Sequence, residues 1–548
     1  MLTITLTFTA ILTIAIVARL SGSATDETNG LTRALDSRAV VGAVFVVTFI
    51  VLWYSWAAWN PIPVVHDEMA YVLQAEIFAR GRWALSSPPI PAFWEQPHVL
   101  VEPILTSKYF PGHSLAMTPG ALVGWPALMP LLLHSTSGAL LYTLARRVAN
   151  AGVAIVACVV WLFAPMVLYF GPTYFSEATT TTCWLSGAYA LLQWRTTRRR
   201  RWLLAVAFFT GWCAITRPLT GVAYAIPVAF VVVRDVLAER RWRDLAAAFA
   251  LGVAVIGILP VWSAHTTGDW RVTPHTLYTR MYMPYDVLGF GVVTTLPTHT
   301  ITPDLLQINN VYRSAHVDHF PSTLPKTLIV RARYLAISLW RPGSGILGVF
   351  AVLGLLTLTG PVAFAVAGAV LLVVIHLAYA TPPQWTLYYY ESVPVFAYLT
   401  AAGLACAASM LARPRPSPWS PALGWRSPRW TRALSAGALL LALPGLVAVR
   451  TMHGQHIEDR GHLKSFEKLL ASIHEPRAVV FVRYAPMHNP HVTFVRNVAN
   501  LAAERIWVVY DRGDRENARL LALAPERTAY LFDERPGRTY LYDPSAKP

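Results

Sequence analysis

Apolar stretches of about 20 residues, separated by short arginine-rich connections, recur along the chain from Met1 to Val449. Runs of that length suit helices that cross ~30 Å of hydrocarbon and satisfy their own backbone hydrogen bonds. The first, Met1 to Leu20, has no basic residue before it and reads as a retained span with its N-terminus outside. The second runs from Ala39 to about Trp59. Between Asn60 and His113 the chain carries acids, aromatics and many prolines, too polar for lipid and too broken for one helix, so a long loop is expected. Further spans are predicted up to Arg146, from Ala151 to Phe170 and from Ser176 to Trp194. Two short ones, folded back at Thr216-Arg217-Pro218, fill Trp202 to Val236, and another covers Leu245 to Ala264. A second long loop, His265 to Gly345, precedes two spans on either side of Gly360-Pro361, one to Leu411 and one ending near Val449. The expected total is about twelve.

The basic residues orient this series. Residues 195–201 read RTTRRRR, residues 237–244 read LAERRWRD, and the Pro/Arg/Trp-rich linker 412–432 holds five more arginines. The positive-inside rule places all three in the cytoplasm, which leaves both long loops and everything after Arg450 on the opposite side. Beyond Arg450 the pattern changes: Leu463–Ile473 and Arg515–Leu523 have helical periodicity, while AVVFVRY (478–484) and IWVVY (506–510) look like buried strands. The chain therefore reads as an all-α polytopic membrane protein of about twelve transmembrane helices with a small C-terminal α/β extracytoplasmic domain. Four regions are expected. Residues 1–38 hold an extra N-terminal helix and a cytoplasmic loop, and 39–411 form a transmembrane module with loops 60–113 and 265–345. Residues 412–450 form a linker and the last span, and 451–548 the exported domain. No internal repeat suggests the inverted halves of a transporter.

Composition narrows the function. Of 548 residues, 55% are hydrophobic and only 14% charged, which excludes an ordinary soluble enzyme. The net charge of +16 is read as topology before any affinity for nucleic acid. All four cysteines lie in apolar segments, so no exported disulfide framework is indicated. There is no Gly-x-x-x-x-Gly-Lys-Ser/Thr loop for a nucleoside triphosphate and no Asp-x-Asp signature.

Candidate chemistry collects beside the predicted membrane exits. Val65-His66-Asp67-Glu68-Met69-Ala70-Tyr71 places two adjacent carboxylates directly after one exit. A carboxylate there can serve as a general base toward a hydroxyl or hold a cation, and Asp67 can equally cap a helix from Glu68 to Arg80. Lys108-Tyr109-Phe110-Pro111-Gly112-His113 leads back toward the membrane with a cation, an aromatic and a Pro-Gly break; Lys108 can meet a lipid-linked phosphate or simply snorkel to headgroups. Arg217 follows a span too short to cross, and at such depth needs a phosphate or a carboxylate, for which Glu177 is a candidate. Arg271 and Arg280 in the second loop suit anionic headgroups or an interfacial belt. The pairs His316/His319, His453/His456 and His488/His491 lack further ligands nearby in sequence, so no metal site is expected.

In this order the features resemble the GT-C superfamily of integral membrane glycosyltransferases, particularly the protein O-mannosyltransferase and aminoarabinose transferase branch (glycosyltransferase family 39-like). The motifs that carry the resemblance are Asp67-Glu68-x-x-Tyr71 and Lys108-Tyr109-Phe110-Pro111-Gly112, with a second long loop at 265–345. The resemblance implies an inverting transfer of a hexosyl or pentosyl unit from a polyprenyl-phosphate donor to a lipid, glycan or protein acceptor, at the outer face of a bacterial inner membrane. It implies Asp67 as catalytic base supported by Glu68, with Lys108 and Arg217, joined by Arg271 and Arg280, binding the donor phosphate. Tyr71, Tyr109, His113, Glu177, Tyr389 and Tyr390 are the expected acceptor or sugar contacts. On this reading no cofactor is required, a divalent metal being compatible but not indicated, and the partners are membrane lipids and the lipid-linked donor, with no nucleic acid. A transporter or lipid flippase using the same charges for coupling is the alternative, and a scaffold presenting the C-terminal domain is a third.

Overall fold

The structure is a computed structural model that describes residues 2–20, 34–35, 37–299, 301–340, 346–412, 429–486, 488–535 and 537–542. Most of the expected linkers 21–38 and 412–432 lie outside the described residues. Among the described residues, six helices are long and apolar enough to cross a membrane: Arg38–Trp56, Leu128–Val148, Pro218–Glu239, Trp242–Thr267, Thr386–Ala412 and Trp430–Asp459. Shorter apolar helices occupy Leu6–Leu20, Ala151–Leu162, Leu347–Thr357 and Gly360–His376. Among the described residues, six helices thus meet the length and apolarity of a span, where the sequence reading expects about twelve spans in the whole chain. The difference has local causes. The expected span from Ala151 is broken at Phe163, and the chain restarts as a short helix at Pro165. The helix Glu177–Thr197 opens with four consecutive threonines, Thr179 to Thr182, which lower its apolarity and are all buried. Small residues allow some of these helices to touch backbone to backbone. A Cβ at Gly403 would lie 1.7 Å from the Phe350 carbonyl oxygen, and one at Gly354 would lie 2.1 Å from that of Leu399.

Two of the arginine runs, 195–201 and 237–244, meet in the structure. Arg195 and Arg198 bond Asp235 at 2.9 and 3.2 Å, and Arg241 reaches the Arg198 carbonyl at 2.7 Å. Both long loops fold. Residues 60–113 form the helix His66–Ala79 and a three-stranded antiparallel sheet of β1 (Leu85–Ser86), β2 (Val99–Leu100) and β3 (Ile104–Ser107), in the order β1-β3-β2. Residues 265–345 carry the helices Pro274–Met281, Pro303–Val317 and Leu324–Leu339.

The final helix does not stop near Val449. It runs from Arg429 to Asp459, because the polar stretch after Arg450 contains no proline to end it. After it come β4 (Ala478–Arg483), β5 (Ile506–Tyr510), β6 (Thr528–Asp533) and β7 (Arg538–Leu541), in the order β5-β4-β6-β7. β4 is parallel to β5 and β6, and β7 is antiparallel to β6, with the helices Gly461–Ala471 and Asp514–Ala522 alongside in sequence. This lobe shares its apolar core with the first loop: Ala70, Phe93, Trp94 and Val99 pack with Val479, Phe481, Trp507 and Val509. The second loop joins them where the Tyr510 hydroxyl donates to Asp304 at 2.5 Å.

Candidate active site

The helix His66–Ala79 starts where the chain pairs with the lobe through an antiparallel bridge between Val65 and Val492. Asp67 and Glu68 both occupy its first turn, where the helix dipole favours negative charge. Their surroundings then separate them. Glu68 is buried and accepts the backbone N–H groups of Val64 at 3.4 Å, Val65 at 3.2 Å and Tyr174 at 3.0 Å. Burial pushes its carboxyl up to about 7, against the opposing pull of those backbone bonds. Oε1 fixes the helix start and Oε2 ties it to Tyr174, so Glu68 supports Asp67 by position.

Asp67 keeps about a quarter of its side chain exposed (25%). Its Oδ1 accepts the Tyr109 hydroxyl, while Oδ2 lies 2.6 Å from His66 Nδ1 and 3.8 Å from His98 Nε2. Burial pushes this carboxyl up, but the two imidazoles and the Tyr109 bond outweigh it and hold it well below the usual carboxylate range. His98 is buried, with a left-handed backbone (φ +67°), its N–H donating to the Tyr278 hydroxyl at 2.8 Å. The coordinating atoms of His66, Asp67 and His98 lie within 4.8 Å of one another, a grouping absent from the sequence-based candidates because residue 98 follows 31 positions later. On the lobe side the His491 ring packs edge-on against His66 at 5.4 Å.

Aromatic residues wall this cluster. Tyr71, one helical turn after Asp67, stacks on Tyr109 at 4.5 Å and meets the edge of His113 at 4.9 Å. His113 itself is fully buried between Thr179 at 2.8 Å and the Tyr174 carbonyl at 2.9 Å, so it anchors the wall rather than facing a sugar. The Pro-Gly break before it has a packing reason: a Cβ at Gly112 would lie 2.3 Å from Thr216 Oγ1, and Trp212 donates to the Gly112 carbonyl at 3.1 Å.

The predicted cations all have surroundings of their own. Lys108 is buried and paired with Asp286 at 2.7 Å, and Asp286 also accepts the Tyr379 hydroxyl. Burial would raise the Asp286 carboxyl, but Lys108 and His275 hold it well below the usual range. Arg217 sits at the break between the helices Arg200–Thr216 and Pro218–Glu239, paired with Glu177 at 2.5 Å and 3.6 Å from Glu391, its guanidinium over the Tyr388 ring. Glu177 is thus its carboxylate partner, and Thr180 donates to Glu391. Arg271 and Arg280 are exposed, Arg271 lying over Trp270. Tyr389 accepts from Arg331 at 3.2 Å and Tyr390 bonds His134 at 2.9 Å, both buried, so it is Tyr388 that faces Arg217. Asp286, Glu391, His98 and Tyr388 are the residues that sequence reasoning missed.

Comparison with known proteins adds a family match over part of the chain. Residues 116–263 match the family described as Dolichyl-phosphate-mannose-protein mannosyltransferase. No curated protein matches the chain in sequence. Among solved structures, ArnT from Cupriavidus metallidurans bound to undecaprenyl phosphate is 15% identical with a TM-score of 0.49, over 90% of this chain and 93% of that one. The Archaeoglobus fulgidus oligosaccharyltransferase in its apo form is 12% identical with a TM-score of 0.43, over 90% and 69%. Arabinosyltransferase EmbB from Mycobacterium smegmatis is 14% identical with a TM-score of 0.41, over 83% and 43%. Over residues 116–263, which include Glu177 and Arg217, the chain thus matches the dolichyl-phosphate-mannose-protein mannosyltransferases, and there the resemblance to GT-C membrane glycosyltransferases read from its sequence is borne out.

Proposed function

We propose that this protein is an inverting membrane glycosyltransferase that moves a sugar from a polyprenyl-phosphate donor to an acceptor hydroxyl on the extracytoplasmic side of a bacterial inner membrane. The observation that carries this reading is the contrast at the first loop: Asp67 is partly exposed, while Glu68, Asp286, Glu177 and Glu391 are buried and engaged. One accessible carboxylate suits one displacement. Asp67 takes the acceptor's proton, the acceptor oxygen bonds to the anomeric carbon, and the carbon–oxygen bond to phosphate breaks with its electron pair on the departing lipid phosphate. Because phosphate leaves readily, no nucleotide is consumed in the step.

Arg217 keeps 12% of its side chain exposed and is the proposed contact for the charge that develops on the phosphate. Lys108, at 2%, is proposed to act through Asp286, holding Tyr109 and Tyr278 beneath its ammonium. Tyr71 and Tyr109 present stacked faces beside Asp67 for a sugar or acceptor. The proposed orientation is supported by the placement of loop 60–113, loop 265–345 and the C-terminal lobe in mutual contact, with the arginine pairs gathered separately.

The test is turnover of radiolabelled polyprenyl-phosphate sugars in purified membranes. Transfer by the wild type that Asp67→Asn abolishes, with membrane insertion intact, is the expected result; full activity of the variant would remove Asp67 from the mechanism. The transporter or flippase reading draws on the buried Glu177–Arg217–Glu391 group. It predicts lipid or solute movement across vesicles without release of sugar from the donor.

A further inference from the structure

We propose that His66, Asp67 and His98 bind one divalent metal ion of the zinc class. Two buried imidazoles converge on one carboxylate oxygen, Asp67 Oδ2, from separate parts of the first loop: His66 Nδ1 at 2.6 Å and His98 Nε2 at 3.8 Å. His66 Nδ1 also lies 3.0 Å from the Asp67 backbone nitrogen, so in the neutral ring its one lone pair faces both that N–H and the carboxylate oxygen. Only a proton or a metal cation between them makes such a contact favourable. Bond lengths of about 2.0–2.2 Å place the ligand atoms of a tetrahedral zinc roughly 3.4 Å apart. The observed separations of 2.6 and 3.8 Å bracket that value, and all three groups fall within 4.8 Å.

Beyond Asp67 itself, no hydrogen bond engages His66 Nδ1 or His98 Nε2 among the described residues. The opposite ring nitrogens, His66 Nε2 and His98 Nδ1, are buried without a hydrogen-bond partner, so these rings are positioned by packing against His491 and Tyr109. His98 is held there in a left-handed backbone conformation, uncommon for a residue with a side chain and concentrated at functional sites. Imidazole and carboxylate ligands suit zinc better than magnesium or calcium, which favour all-oxygen shells. Three protein ligands leave a fourth position, and the exposed quarter of Asp67 is where a water or an acceptor hydroxyl would fill it. The hydroxyl would then lie beside Asp67 Oδ1, which keeps a lone pair after accepting from Tyr109. Its role in transfer rests on the glycosyltransferase reading, whereas the site itself does not.

The experiment uses the full-length protein in detergent, titrated with CoCl2 and then ZnCl2 after chelation and dialysis. Visible d–d absorption for one Co2+ per chain, displaced by Zn2+, is expected. Zinc-edge X-ray absorption should show two imidazoles in the first shell. His98→Asn and Asp67→Asn should each weaken binding by more than the roughly 10–100-fold typical of outer-shell changes. Matched elution profiles and unfolding temperatures show that each variant is folded. No stoichiometric binding by the wild type, or a zinc shell without two imidazoles, would overturn the site, as would unchanged affinity in folded His98→Asn and Asp67→Asn. These readouts need no turnover, so a protein that binds zinc through these residues but transfers no sugar keeps the site and loses the transferase reading.

Discussion

Two charged clusters lie close together in this molecule and are built on opposite principles. At the head of the helix His66–Ala79, Asp67 faces two imidazoles and a tyrosine hydroxyl and stays a quarter exposed. Inside the bundle, Arg217 lies between Glu177 and Glu391 with both carboxylates buried. Tyr71 stands between the two, within electrostatic range of Asp67, Glu177 and Arg217. The comparison teaches that charge alone does not mark a reacting group. The first cluster leaves an oxygen within reach of solvent, whereas the second sets one guanidinium against two buried carboxylates and ties four helical segments together.

The largest expected effect breaks this comparison at its reactive side. Asp67→Asn keeps the shape but removes the negative charge, and turnover in membranes should fall by roughly 10²–10⁴-fold. An unchanged rate would show that the exposed cluster is no more chemical than the buried one. On the structural side, Arg217→Ala leaves two buried carboxylates without their cation, and breaking such a pair costs about 3–5 kcal/mol. A marked drop in the unfolding temperature in detergent is expected, with Arg217→Lys recovering part of it. If Arg217→Ala unfolds like the wild type, the cluster is not holding the bundle together.

How far these clusters were legible in the sequence differs in the same way. The Asp67-Glu68 pair, Lys108-Tyr109 and the Pro-Gly break are contiguous, and Glu177 was open to prediction as the partner of Arg217 because a buried arginine demands a carboxylate. The other partners arrive through tertiary contacts that no local spacing announces: Asp286 lies 178 positions from Lys108 and Glu391 211 positions from Thr180. His98 is nearer in sequence, but it reaches Asp67 only through a left-handed turn held by Tyr278. In the aromatic run 388–390 the choice of which ring faces Arg217 is made by a 3₁₀ turn over Thr386–Ser392, which directs Tyr389 and Tyr390 toward Arg331 and His134 instead. The span pattern was legible because apolarity is local, although the threonine run and the Phe163 break leave some of those segments more polar or shorter than a long apolar helix.

A smaller change sharpens the first cluster. Tyr109→Phe removes the hydroxyl that donates to Asp67 while keeping the ring that stacks on Tyr71. The hydroxyl also fixes the orientation of the carboxylate, and loss of that positioning should lower turnover, by at most roughly 10²-fold. That bond stabilises the ionised carboxylate and therefore lowers its pKa. Removing it raises the Asp67 pKa, and the acid limb of the pH–rate profile should move to higher pH. A limb that stays in place would mean that Asp67 does not report on that limb.

The smallest effect concerns the lobe that roofs the exposed cluster but not the buried one. Asn497 donates to the Trp94 carbonyl at 2.8 Å and to Gln96 at 3.1 Å, and Gln96 also accepts its backbone N–H at 3.1 Å. Truncation to alanine leaves a buried carbonyl without its donor, at a cost of about 1–3 kcal/mol. Arg512, which donates to the Ala92 carbonyl from a partly exposed position, should matter less on truncation, about 0–1 kcal/mol. Limited proteolysis with increasing protease should therefore cut between 461 and 542 sooner in Asn497→Ala than in Arg512→Ala. Because the lobe also brings Val492 and His491 against Val65 and His66, loosening it should disturb Asp67 and leave the Arg217 cluster alone. Turnover should then fall with little change in the unfolding temperature of the bundle. Equal losses in both would show that the lobe and the bundle unfold as one unit, and that the two clusters share their stability despite their opposite construction.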